Sequence, residues 1–155
     1  MTLVEFINKN HSSVGIAKLI FNFLGEKYPK VALLKVIDSS SGGTPNRGIS
    51  NYYGGDIPWL KSGEITDGLV TEFSETITEE GMKNSSAKLF PKGTLLVAMY
   101  GATAGKTGIL DFDSTTNQAL CAIFPKKGIL RDYLFWYFRQ ARVDFIELSK
   151  RRCAT

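Results

Sequence analysis

The stretch Gly101-Ala102-Thr103-Ala104-Gly105-Lys106-Thr107-Gly108 follows an apolar run at 94–99, and its residue types are those that cradle phosphate. Glycines let backbone amides approach an anion, and a lysine neutralises it. A nucleotide-binding loop needs glycine, four residues, then Gly-Lys-Ser/Thr opening a helix. Here three residues separate Gly101 from Gly105, and Tyr100 stands where the first glycine belongs. The residues that follow, 109–116, are β-branched and turn-forming rather than helix-forming. ATP chemistry is therefore not expected, and the loop is read as a connection between strands.

Other catalytic constellations are equally short of parts. His11 is the sole histidine, which excludes a His-based triad or a His metal cluster. Cys121 and Cys153 lack metal-ligand or CxxC spacing; Cys121, within the apolar run 119–124, reads as a small buried residue in a reducing compartment. Six carboxylates (Glu64, Asp67, Glu72, Glu75, Glu79 and Glu80) crowd one segment that has no Lys or Arg. They do not form the Asp…Glu-x-Lys pattern of a two-metal nuclease, and read as a solvated face. A methyltransferase needs a Gly-rich cofactor loop opening a helix, whereas the Gly-rich loops here open toward strands. No catalytic residue, metal or cofactor is expected.

Binding chemistry is better represented. Tyr52, Tyr53, Trp59, Tyr100, Asn46, Asn51, Asn117 and Gln118 gather at loops, interleaved with Arg47, Lys61 and Lys106. Arg and Lys reach guanine edges or phosphates, Asn and Gln read adenine, and glycine admits a phosphate close to the backbone. Each has a plainer role beside the DNA-reading one: Trp59 as core, Tyr52 and Tyr53 packed beneath their loop, Asn117 and Gln118 satisfying loop carbonyls.

A chain of 155 residues with 43% hydrophobic and 22% charged residues has room for one domain with a proper core. The net charge is +4, but the acidic segment carries −6, leaving +10 on the remainder, a balance suited to polyanions. No segment approaches the roughly 18 apolar residues of a membrane span, and no basic leader precedes an apolar run, so a soluble cytoplasmic chain is expected. Ser12 or Ser13 caps a helical leader in 1–25, whose Ile16, Leu19, Ile20, Phe23 and Leu24 follow a 3.6 period up to Gly25. Strands are expected at 31–37, 56–60, 94–99, 107–110 and 118–124, with a long loop at 39–53 and a helical turn after Thr78. Leu134, Tyr137, Phe138, Ala141, Phe145 and Leu148 predict a helix over 131–149. Short apolar strands between turns point to a twisted mixed sheet.

Five motifs occur in order: Gly42-Gly43-Thr44-Pro45; Tyr53-Gly54-Gly55-Asp56-Ile57-Pro58-Trp59-Leu60; the run from Gly81-Met82-Lys83-Asn84 to Phe90-Pro91-Lys92-Gly93-Thr94; Gly101 to Lys106; and Thr116-Asn117-Gln118. This series resembles the target-recognition domain of the specificity (S) subunit of type I restriction-modification systems, over about residues 30–148. The resemblance implies an α+β fold: a single globular recognition domain with a twisted mixed or antiparallel sheet, flanking helices and a C-terminal helix. It implies a non-catalytic reader of double-stranded DNA that directs methylation and cleavage by partner methyltransferase (M) and restriction (R) subunits. The candidate DNA face comprises Arg47, Asn51, Tyr52, Tyr53, Lys61, Ser62, Thr103, Lys106, Asn117 and Gln118. The expected organisation is a leader at 1–25, the recognition domain at 26–149, and a basic tail at 150–155 as the truncated start of a helical spacer. A truncated product, a half-subunit that pairs with a second half-subunit or itself, and a domain made alone all fit that organisation. The alternative function is a non-catalytic interaction module that assembles with, or competes for, M or S subunits through its aromatic terminal helix.

Overall fold

Leu95, Leu96, Val97 and Ala98 are all buried, as a strand covered on both faces requires. The computed structural model describes residues 29–144 together with Glu26 and Ile146. The expected leader, the basic tail and the end of the terminal helix lie outside the described residues.

The chain runs through α1 (Leu33–Val36), β1 (Ile37–Ser41), a 3-10 turn (Ser50–Tyr52), β2 (Tyr53–Leu60), a second 3-10 turn (Ser62–Glu64), β3 (Leu69–Val70), β4 (Thr76–Ile77) and α2 (Glu79–Lys83). It continues with β5 (Leu95–Ala98), a third 3-10 turn (Gly101–Thr103), β6 (Thr107–Leu110), β7 (Thr115–Thr116), β8 (Leu120–Pro125) and α3 (Arg131–Gln140). Five strands form one sheet in the order β1-β8-β5-β6-β3, and three form another in the order β4-β2-β7. The β1/β8, β5/β8 and β5/β6 pairs are antiparallel, whereas β3/β6 and β2/β7 are parallel. The fold is the expected α+β class with mixed sheets.

Alternation along β5 sorts its side chains. Leu96 and Ala98 join Leu60, Ile65, Phe90, Leu110 and Leu120 in a core toward the small sheet. Leu95 and Val97 face the other way, onto Ile37, Ile123 and the Leu134, Phe135 and Phe138 stripe of α3. A third cluster of Trp59, Ile77 and Ala87, flanked by Tyr53, Ile57 and Met82, fills the small sheet against α2. Thr78 caps α2 as its spacing predicts, accepting a bond from the Gly81 amide (3.0 Å).

The strand expected at 31–37 is instead the one-turn α1 followed by β1 from Ile37. A short apolar run has no periodicity that separates strand from buried helix. Leu33 and Val36, three apart, turn together onto the α3 cluster, while polar Asp38–Ser41 suit the sheet edge that β1 forms. The loop expected at 39–53 consequently starts after Ser41 and contains a 3-10 turn. Cys121 is half-buried, and burial pushes its thiol pKa up. The two-residue strands β3, β4 and β7 carry too few residues for a period to register.

Candidate nucleic-acid interface

Two glycines let the chain after β1 cross the end of the sheets. The Gly42 amide donates to the Leu120 carbonyl (3.4 Å) and the Gly43 amide to the Thr116 carbonyl (2.8 Å). A Cβ at Gly42 would overlap the Thr116 carbonyl, and one at Gly43 would overlap Ser86. That close approach sets the rest of the loop. Trp59 Nε1 donates to the Gly43 carbonyl (2.9 Å), the Tyr53 hydroxyl to the Pro45 carbonyl (2.6 Å), and Thr44 Oγ1 to Gln118 Oε1 (2.5 Å). Burial is the main cause of a raised Tyr53 pKa, which keeps the phenol protonated for this bond.

Arg47 emerges over two rings. Its guanidinium carbon lies 4.4 Å from the Tyr53 centroid and 4.7 Å from that of Trp59, and the rings themselves meet edge-to-face at 6.2 Å. Arg47 Nη1 also stands 2.7 Å from Glu75 Oε2, while Lys61 Nζ donates to Glu75 Oε1 at 2.9 Å. Glu75 Oε2 is shut off from solvent without a well-aligned hydrogen bond, so the ion pair with Arg47 compensates its charge. Lys61 first, and then Arg47, hold the Glu75 carboxyl below the usual carboxylate range. The backbone that carries this side chain is tied to β2: the Trp59 amide donates to the Glu75 main-chain carbonyl at 3.0 Å.

The glycine loop issues from the same rim. The Met99 amide bonds the Ala119 carbonyl (2.9 Å) and the Asn117 amide bonds the Leu60 carbonyl (2.8 Å), so segments 42–47, 60–62, 99–106 and 117–119 meet there. Gly101 and Gly105 take φ of 77° and 74°, the left-handed turn that joins β5 to β6 as expected. The amides of Ala104, Gly105 and Lys106 donate to the carbonyls of Gly101, Ala98 and Thr103, and that of Thr107 to Asp67 Oδ1. Four consecutive amides are thus spent internally, and the loop offers no amide cradle there. Asp67, at φ 62°, also pairs with Arg142 (3.1 Å), whose stem packs against Gly105. Among the described residues the Lys106 side chain meets no ion-pair or hydrogen-bond partner. Met99 and Tyr100 beside it are exposed.

The expected contact residues divide accordingly. Arg47, Tyr53 and Lys61 form one cluster with Trp59 and Glu75, and Ser62 opens the adjoining 3-10 turn. Thr103 and Lys106 lie on the glycine loop. Asn117 turns its Oδ1 onto the Ala119 amide (3.2 Å), and exposed Gln118 tethers Thr44. Asn51 and Tyr52 are drawn toward α2 instead: both carbonyls accept from Thr78, and Gly81 packs on Tyr52. Trp59 takes its plainer role, buried in the core with its indole N–H tied to the loop.

The acidic segment is corrected. Three of its six acids are structural ties rather than a wet face. Glu64 accepts from the amides of Lys61 and Ser74 (both 2.7 Å), Asp67 holds Thr107 and Arg142, and Glu75 holds Arg47 and Lys61. Nothing in the spacing separates Asp67 and Glu75 from Glu72, Glu79 and Glu80, because their partners are remote in sequence, whereas Glu64 also closes a local turn on the Lys61 amide. A groove of about 330 Å³ lined by Glu64, Leu69, Val70, Phe73 and their neighbours lies in this segment and includes none of the expected contact residues. Among the described residues no three His, Cys, Asp or Glu side chains converge as metal ligands, and no helix is long and apolar enough to cross a membrane.

Residues 25–151 match the sequence family described as the type I restriction modification DNA specificity domain. The type I restriction enzyme MjaIX specificity subunit of Methanocaldococcus jannaschii is 36% identical over 120 residues, covering 73% of this chain and 28% of that protein. The EcoR124I/EcoR124II specificity subunit of Escherichia coli is 27% identical over 114 residues, covering 71% of this chain and 28% of that protein. The crystal structure of the HsdS subunit from Thermoanaerobacter tengcongensis superposes with a TM-score of 0.61 at 18% identity, covering 86% of this chain and 35% of that one, a likeness of fold. The chain thus spans 28% of the length of each of these curated relatives.

Proposed function

The chain belongs to the type I restriction modification DNA specificity domain family, and from that membership we propose that it reads the sequence of double-stranded DNA through the rim of loops 42–47, 60–62, 99–106 and 117–119. The observation that carries this reading is the convergence on one rim of a ring-stacked arginine, a second cation at Lys61, the side chain of Lys106, which has no ion-pair or hydrogen-bond partner among the described residues, and the side-chain amides of Asn117 and Gln118. Cations supply phosphate attraction, and planar amides and guanidinium supply base-edge readout. Asn51 and Tyr52 act at the margin, beside α2. The chain is non-catalytic and cytoplasmic in this reading, works without metal or cofactor, and directs methyltransferase and restriction subunits to its site. Residues 26–149 are the recognition unit, and 150–155 begin the spacer toward those partners.

The test is binding of the full chain to a randomised duplex pool, with sequencing of the bound fraction. One sequence class should be enriched over the pool, and affinity should fall steeply with salt as phosphate neutralisation releases counterions. Lys106→Ala should weaken binding to all duplexes and flatten the plot of log K against log salt by about one unit. Asn117→Ala should relax one base position, at a cost of about 1–3 kcal/mol for the preferred base. Equal affinity of the wild type and both variants for every duplex would remove these loops from the DNA face.

A further inference from the structure

Glu75 is an acid on this rim that holds two of its cations. Its two carboxylate oxygens divide between them: Oε2 to Arg47 and Oε1 to Lys61. This is the arrangement that two non-bridging phosphate oxygens would present. Arg47, Lys61 and Glu75 have side-chain exposures of 52%, 38% and 31%, so a ligand reaches both cations from outside, while the Glu75 Oε2 atom facing Arg47 is shut off from solvent until the pair opens. The cations are not placed by Glu75 alone. The Tyr53 and Trp59 rings orient the guanidinium, and the Lys61 amide is anchored by Glu64. Removing the carboxylate charge therefore leaves the guanidinium on its rings and the Lys61 backbone anchored, with neither cation neutralised by Glu75.

We propose that Glu75 is an internal competitor of DNA: an anion that occupies Arg47 and Lys61 in the free protein and must be displaced by the phosphodiester backbone when DNA binds. The proposal rests on the DNA-reading function above. Any duplex that brings phosphates to both cations must first break the two internal pairs, so Glu75 lowers DNA affinity by competition rather than by touching a base.

The experiment measures affinity of the full chain for a mixed-sequence duplex across a salt series. Glu75→Gln keeps the shape and removes the charge. Exposed ion pairs are worth little individually, so releasing two should tighten mixed-sequence binding by about three- to tenfold at low salt. The salt plot should steepen by about one unit, because the site carries one more net positive charge. Glu75→Asp should stay near wild type. Glu72→Gln, which removes a remote exposed acid, should give no comparable gain, and adding Arg47→Ala to Glu75→Gln should abolish the gain.

Unchanged or weaker binding by Glu75→Gln, or an equal gain from Glu72→Gln, overturns the proposal. If the wild type binds and Glu75→Gln behaves identically, only this proposal fails; if neither binds any duplex, the DNA-reading function fails with it. Should Glu75→Gln not fold, the Glu75 carboxyl carbon resonance in the wild type carries the test. On duplex addition it should move toward the value of a free glutamate, and an unmoved resonance overturns the proposal.

Discussion

Arg47 is held by contacts of two kinds: the faces of Tyr53 and Trp59 beneath it and the Glu75 carboxylate beside it. The rings orient the guanidinium, and the carboxylate neutralises it. Acid separates the two. Glu75 titrates below its ordinary 4.5 because its charged form is bonded by Lys61 and Arg47. A depressed carboxylate contributes stability that is complete above the unfolded-state pKa and is lost as pH falls through the folded one. The wild type should therefore melt with this contribution intact down to about pH 4.3 and lose it below. The melting difference between wild type and Glu75→Gln, followed from pH 6 to pH 3, should shrink on the acid side. A difference constant over that range would mean that the carboxylate charge contributes nothing to folding. The candidate site's cations and aromatics were legible from their residue types, whereas Glu75 was not, because Arg47 and Lys61 lie 28 and 14 residues before it.

The rim depends on two loops whose glycines do different jobs. Gly42 is packed: its Cα faces the Thr116 carbonyl so closely that any Cβ collides with backbone. Gly101 is open, with φ 77° and no atom within 4 Å of a Cβ built on it. Gly42→Ala should cost about 1–3 kcal/mol or more, because backbone must shift to admit the methyl. Gly101→Ala should cost only the left-handed strain of about 1–2 kcal/mol. Denaturant midpoints of the two variants check the order, and equal midpoints would mean that the 42–43 crossing is pliable. Strands 94–99 and 107–110 were readable because continuous apolar runs between turns have few alternatives. The helix at 33–36 was not, because a single turn placed by tertiary packing leaves no period. Terminal helix α3 was readable from its spacing, with Leu134 and Phe138 on the stripe that meets β5; Phe135 joins them there, while Tyr137 of the expected stripe is exposed.

At the scale of the whole molecule, β5, like β8, contributes to the two cores on either side of the large sheet. Leu96→Ala should cost about 2–5 kcal/mol, as a fully buried leucine does, and calorimetry of the variant should show the loss. Retention of near-wild-type stability would mean that the two cores close over the void. The mixed topology itself was legible only as a class. Which strands pair depends on contacts such as Ser41 with Cys121, and no local pattern encodes a separation of that kind. That same pairing has a consequence for synthesis. β1 is finished about 80 residues before its partner β8, and at roughly 5–20 residues per second it waits about 4–16 seconds on a ribosome. In the last part of that interval, about 22 residues or 1–4 seconds between the end of β5 and the start of β8, the leucines of β5 lack both β8 and α3 to cover them. The nascent chain therefore passes through a stage with its most apolar strand uncovered, a stage that holdase chaperones are suited to shield.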